Sequence, residues 1–239
     1  MRDSVPPVYL IAGSKGGVGK SMLALVVVDR LLLDGKRVLY FESDTSNADV
    51  WQCLERDPKK APGEGIDGVT LYTVRLDEEE SWADMVNAIE EHRDHVVVIG
   101  TASRMTEAIR THGHILRETL PGLERRLVTL WVIDEQRDSL NQLRDHLAVF
   151  PDNEIHVVKN SKEGPNAFGL YEASKLRTII ETEKRGRSLY MPRLALSVRT
   201  KLYSHRMSIS QALADLPTAN AYLLSSFRRA CGEMLAPIL

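Results

Sequence analysis

The run Gly13-Ser14-Lys15-Gly16-Gly17-Val18-Gly19-Lys20-Ser21 constrains this chain more than any other stretch. Its G-x-x-x-x-G-K-S spacing is that of a loop whose backbone N–H groups and following helix N-terminus point at phosphate oxygens. The flanks agree. Residues 8–12 are a continuous apolar run suited to a buried strand, and residues 22–33 are apolar nearly all round, as in a helix covered on more than one side. Strand, loop and helix in that order predict a nucleotide-binding chain. Lys20 is expected to reach the β- and γ-phosphates and the Ser21 hydroxyl to hold Mg²⁺, with Gly16, Gly17, Val18, Gly19 and Met22 completing the cradle.

The rest of the chain repeats the alternation. A turn at Asp34-Gly35 leads into an apolar strand over 38–41, and strand, helix and strand here make one right-handed crossover with parallel pairing. Further strands are predicted over 69–74, 96–99, 127–133 and 155–158. Helices are predicted after the acidic run 77–80, which suits a helix N-terminus, and over 108–120 and 140–148. The fold class is therefore α/β, a doubly wound and mainly parallel sheet flanked by helices. Residues 55–68, rich in Pro, Gly and charge, read as a loop, and 188–196 as holding a last strand. An amphipathic helix over 216–235 closes the chain, with Leu223, Leu224, Phe227, Ala230, Cys231 and Met234 inward. A length of 239 residues fits one domain over 1–239.

Composition excludes several other classes. Lys and Arg number 31 against 33 Asp and Glu, so a formal net charge of −2 gives no global pull toward nucleic acid or an anionic membrane. Any such contact rests on a local patch, for which residues 184–187 and Arg228-Arg229 are the basic candidates, with solvated surface as the alternative. Two cysteines, Cys53 and Cys231, do not make a disulfide framework or a zinc site. The N-terminal segment lacks an apolar signal and no run approaches membrane-spanning length, so a cytoplasmic protein is expected. His92 with His95, and His112 with His114, have metal-like spacing without a completing ligand set, and read as helix-surface histidines. Asp134-Glu135 follows a strand, where it either faces the site or caps the next helix.

The stretch Lys15-Gly16-Gly17-Val18-Gly19-Lys20-Ser21 resembles the deviant Walker A loop of the ParA/MinD family. In that family the first lysine reaches across an ATP-sandwiched dimer, so the resemblance implies that Lys15 acts in trans on the partner's nucleotide. A ParA-like protein carries Asp-x-Asp after its second strand, where this chain has Glu42-x-Asp44. The resemblance implies that Asp44 orients the attacking water and joins Ser21 at Mg²⁺, followed by a γ-phosphate-sensing segment at 45–47. The alternative for Asp44 is a helix cap in a polar turn. Asn160 matches a position that reads the adenine edge, or is a strand-end turn asparagine, and Pro192 in Met191-Pro192-Arg193 resembles a late loop beside the base.

One departure weakens the match. The family's magnesium-side aspartate after the fourth strand is replaced by Gly100, and Thr101 or Ser103 offers only a hydroxyl there, so weaker Mg²⁺ affinity or turnover is expected. The loop, the Asp44 segment and the tail 207–215 are similar to TraL-type conjugal-transfer ATPases. The resemblance implies ATP and Mg²⁺ as ligands and a nucleotide-dependent homodimer with slow hydrolysis. It also implies a protein partner in a plasmid transfer or partition complex, room for non-specific DNA contact, and no membrane. Two alternatives stay open: a nucleotide-binding pseudo-ATPase acting as an assembly scaffold, and an ATP-dependent metabolic enzyme on the same fold.

Overall fold

The computed structural model describes residues 5–57, 59, 61–103, 105–134, 136–161 and 168–239. Its strands are β1 (Val8–Gly13), β2 (Val38–Glu42), β3 (Glu55–Asp57), β4 (Ala61–Gly65), β5 (Val69–Thr73), β6 (Val96–Gly100), β7 (Leu127–Ile133), β8 (Glu154–Asn160) and β9 (Ser188–Met191). Among the described residues seven of them form one sheet in the order β5-β2-β6-β1-β7-β8-β9. Every neighbouring pair in it is parallel. Strands buried on both faces need no polar alternation, which is why runs such as Val96-Val97-Val98-Ile99 are apolar throughout.

Helices cover both faces. On one side lie α1 (Lys20–Leu33), α2 (Asp49–Leu54) and the closing helices, and on the other α3 (Glu79–Glu91), α4 (Thr106–His112), α5 (His114–Thr119), α6 (Arg137–Val149), α7 (Gly169–Glu172) and α8 (Lys175–Thr182). The closing group is α9 (Leu196–Ser204), α10 (Ile209–Asp215) and α11 (Thr218–Leu235). α1 is sandwiched between the sheet and α10–α11, so Leu23, Val27 and Val28 have no exposed surface at all. Each such side chain contributes on the order of 2 kcal/mol of apolar burial. Opposite them, Trp82, Trp131 and Phe150 fill the second core.

Parallel strands place all their carboxyl ends on one rim. The 13–21 loop leaves β1 there, Asp44 follows β2, Gly100 ends β6, Asp134 follows β7, Asn160 ends β8 and Pro192 follows β9. Ligands of open α/β sheets bind at that rim.

Two local expectations are corrected. Glu55–Asp57 and Ala61–Gly65, expected in a loop, are two antiparallel strands, because backbone pairing of Glu55 with Gly65 and Asp57 with Ala61 holds segments that have no apolar pattern. The last strand does lie within 188–196, as β9, which stops at Met191 before Pro192, and residues 196–204 are helical. α10 carries a full capping box between Ser208 and Gln211. In α11 Leu223 is 43% exposed, so the inward stripe is Leu224, Phe227, Cys231 and Leu235.

Candidate nucleotide site

The loop after β1 is shaped by contacts that only glycine allows. Gly19 has φ 111°, and a Cβ there would lie 2.2 Å from Asn160 Nδ2. That amide donates to the Val18 carbonyl at 2.7 Å, so β8 holds the loop from the side. Behind it the buried Ser14 hydroxyl accepts from Ser139 of α6 at 3.0 Å. Gly19 also caps α1 without a side-chain hydrogen bond, which leaves the first turn of the helix to line the cleft. Lys20 is folded back over the loop, donating to the Lys15 carbonyl at 3.0 Å. Burial lowers its pKa to about 8, with nearby Asp44 pulling the other way. A desolvated ammonium among backbone N–H groups is a strong local field for an anion.

The cleft in front of the loop has a volume of about 730 Å³. Gly16, Gly17, Gly19, Lys20, Ser21, Met22, Asp44, Asn160 and Pro192 all line it, so residues from four strand ends converge. Val18 does not: it is 1% exposed and contributes its carbonyl to Asn160 from behind. Lys15 does not line it either. Its ammonium turns to Asp134 after β7, with Nζ to Oδ2 at 2.8 Å. Asp134 is 8% exposed and its other oxygen accepts from the Gln136 N–H at 3.0 Å, so it both faces the loop and shapes the entry to α6. Glu135 lies outside the described residues.

Asp44 does not cap α2, whose N-cap is Ala48. Its Oδ1 accepts from Ser46 Oγ at 2.9 Å and from the Asn47 N–H three residues on at 3.0 Å, which gives the 44–47 segment its shape. The segment is tied to the strand by Glu42, whose Oε1 accepts the Asp44 N–H at 3.0 Å. Glu42 is 4% exposed, and burial raises its carboxyl to about 7 against the hydrogen bonds from Asp44, Tyr40 and Trp51. Across the sheet Glu42 sits in register with Gly100. Thr101 donates its hydroxyl to the Ile11 carbonyl at 2.9 Å, and Ser43 accepts the Ala102 N–H at 2.8 Å, so both hydroxyls brace strand ends. Ser103 lines the cleft. Hard oxygen donors suited to Mg²⁺ are thus present at Ser21 and Asp44, a sparse set that fits a cation completed by phosphate oxygens and water.

Several sequence candidates fall away. The His92 and His95 rings pack edge to face with centroids 5.1 Å apart, and His114 Nδ1 meets the Thr111 carbonyl at 3.0 Å. Among the described residues no group of three or more His, Cys, Asp or Glu is placed to hold a metal ion. Arg228 is no free basic patch, since it grips Asp29 of α1 through two bonds of 2.7 Å. Both cysteines are buried and free. Among the described residues no helix is long and apolar enough to cross a membrane. Conversely, Tyr40, Arg199 and Tyr203 line the cleft without any motif to announce them.

Comparison with known proteins places this geometry. Residues 9–218 match the family described as the CobQ/CobB/MinD/ParA nucleotide binding domain. Protein MobD of Acidithiobacillus ferrooxidans is 41% identical over 233 residues, covering 97% of each chain. The fold is similar to the cell division ATPase MinD of Pyrococcus furiosus, with a TM-score of 0.63 at 15% identity over 98% of this chain and 99% of that one. MinD of Aquifex aeolicus aligns with a TM-score of 0.51 at 16% identity, over 95% and 97% of the two chains. With the phosphate loop, the parallel sheet and the family match in agreement, this chain belongs to the CobQ/CobB/MinD/ParA nucleotide-binding family.

Proposed function

We propose that this protein is an ATP-dependent switch that dimerises around Mg²⁺-ATP and acts in plasmid or mobile-element DNA transfer or partition. The observation that carries the proposal is the convergence of Lys20, Ser21 and Asp44 on one cleft, with Lys15 on the same loop but turned outside it. Magnesium, held by Ser21 and Asp44, would supply positive charge to the β- and γ-phosphate oxygens. The backbone of residues 16–22 cradles the phosphates, and Lys20 neutralises them from the loop's floor. Asp44 orients the attacking water with the oxygen not engaged by Ser46 and Asn47. Asn160 and Pro192 bound the base end of the cleft. Lys15 is half-exposed at the loop's outer side, where a second copy can receive it.

The mobile-element part is supported by the similarity of the loop, the Asp44 segment and the tail 207–215 to TraL-type proteins, and by the full-length likeness to MobD. A MinC:MinD complex of Aquifex aeolicus shares this fold, with a TM-score of 0.52, which fits a family scaffold able to carry a protein partner. A second version, a pseudo-ATPase that binds nucleotide purely as an assembly ligand, is favoured by Gly100 alone.

The test is the solution mass of wild type and Lys15→Ala with Mg²⁺-ATP, with ADP and without nucleotide. The expected result is a dimer with ATP only, absent in Lys15→Ala. A monomer in every condition overturns the switch. A dimer that forms but never hydrolyses ATP selects the pseudo-ATPase version.

A further inference from the structure

Tyr40 and Glu42 are two residues apart on β2 and so project to the same face of the sheet, and Gly100 of β6 lies in register beside Glu42. The three are interlocked. A Cβ at position 100 would stand 2.2 Å from Tyr40 Oη and 3.1 Å from Cζ. The tyrosine has no exposed surface, and its hydroxyl fills the space that any side chain at 100 would need. That hydroxyl donates to Glu42 Oε2 at 3.2 Å. The same oxygen takes the Trp51 N–H from α2 at 3.4 Å, and Oε1 takes the Asp44 N–H at 3.0 Å. One buried carboxylate therefore ties together the strand, the Asp44 segment and the first turn of α2.

We infer that Tyr40 and Glu42 are a positioning pair that sets the Asp44 segment against the phosphate end of the cleft, with glycine at position 100 required by the tyrosine. The inference deepens the nucleotide-switch reading of this cleft and rests on it for the word phosphate, but its geometry belongs to the protein alone. Three donors converge on Glu42, and a carboxylate accepts at both oxygens. A glutamine of the same size turns an NH₂ toward at least one of those N–H groups, so it keeps the volume and loses the match. Removing the phenol oxygen frees one carboxylate lone pair and opens the space above Gly100.

The experiment combines amide exchange of the nucleotide-free protein with titration of a fluorescent ATP analogue in the presence and absence of Mg²⁺. Four variants are compared: Glu42→Gln, Tyr40→Phe, Gly100→Ala and the double variant Gly100→Ala/Tyr40→Phe. Exchange over residues 43–51 is expected to rise about tenfold in Glu42→Gln, the scale of one hydrogen bond to a charged group, while α3 is unchanged. Analogue affinity with Mg²⁺ should fall by a similar factor, and affinity without Mg²⁺ should stay within about twofold. Gly100→Ala is expected to be the least stable variant and to be partly restored by Tyr40→Phe, which removes the 2.2 Å contact.

Unchanged exchange over 43–51 in both Glu42→Gln and Tyr40→Phe overturns the inference. So does a loosened segment that leaves the Mg²⁺ effect intact, or a Gly100→Ala defect indifferent to Tyr40→Phe. If wild type binds no analogue at all, the nucleotide reading fails, and the exchange and double-variant results then decide the positioning pair by themselves.

Discussion

The ammonium of Lys15 lies 2.8 Å from the Asp134 carboxylate of its own chain, an ion pair in which the lysine side chain is 41% exposed and the aspartate side chain 6%. On the proposed switch, the cation that would reach another subunit's nucleotide is thereby held at home. A half-exposed pair of this kind contributes about 1 kcal/mol. Asp134→Asn should free Lys15 and shift ATP-dependent dimerisation to roughly fivefold lower protein concentration, since 1 kcal/mol is about a factor of five. Analytical ultracentrifugation across a concentration series checks this. A weaker dimer in Asp134→Asn would instead mean that Asp134 contributes to the assembled state.

Gly19→Ala should damage the site out of proportion to its size. The backbone there is left-handed and the added carbon meets Asn160 Nδ2 at 2.2 Å, so two penalties coincide. A loss of about 1–3 kcal/mol in stability is expected, with nucleotide affinity reduced at least about tenfold. Pairing it with Asn160→Ala, with Asn160→Ala alone as the reference because that change also removes the bond to Val18, relieves the contact and leaves the φ penalty. Full recovery in the double variant would show that backbone strain is negligible.

Acid should destabilise the fold through His146. The ring is buried between Trp131 and Phe150, meets the Thr129 hydroxyl at 3.0 Å, and has its pKa lowered by burial from 6.5 to about 3. The unfolded chain takes up a proton near pH 6.5 and the folded one does not until about pH 3. Stability is therefore present above pH 6.5 and falls as pH drops through that window, by about 1.4 kcal/mol per unit. Urea unfolding of wild type and His146→Gln at pH 6.5 and pH 5 is the check. About 2 kcal/mol of the wild-type loss should disappear in the variant, and equal slopes would remove His146 as the cause.

The grip of Arg228 on Asp29 joins α11 to α1, with Ser210 of α10 as a third member. Asp29 is 8% exposed, so Arg228→Ala strands a mostly buried carboxylate and should cost on the order of 2 kcal/mol. Asp29→Asn/Arg228→Ala should be more stable than Arg228→Ala alone. Thermal unfolding of the single and double variants checks it, and additive losses would mean the pair is not coupled.

How much of this was legible in the chain follows from what each feature depends on. The phosphate loop and its flanks announce themselves because glycine placement and unbroken apolar runs are local signals. The strand over 127–133 and the helix over 140–148 were visible for the same reason. The pairing of Glu55–Asp57 with Ala61–Gly65 was not, since its hydrogen bonds are backbone to backbone and its residue types are those of a loop. Asp134 could be placed beside the site but not assigned to Lys15, because their pairing depends on β1 and β7 being neighbours. Gly100 reads in sequence as a lost carboxylate. Only the register of β2 against β6 reveals that a tyrosine hydroxyl occupies its place.

Helix α1 carries the phosphate loop at its head and is packed along its length between the sheet and α10–α11, with Asp29 bolted to Arg228. A rod held on both flanks transmits position well and bends poorly. On the proposed switch, rearrangement on ligand capture falls to the half-exposed stretch around Asp44, with the loop under the phosphates as the anvil against which that stretch is worked.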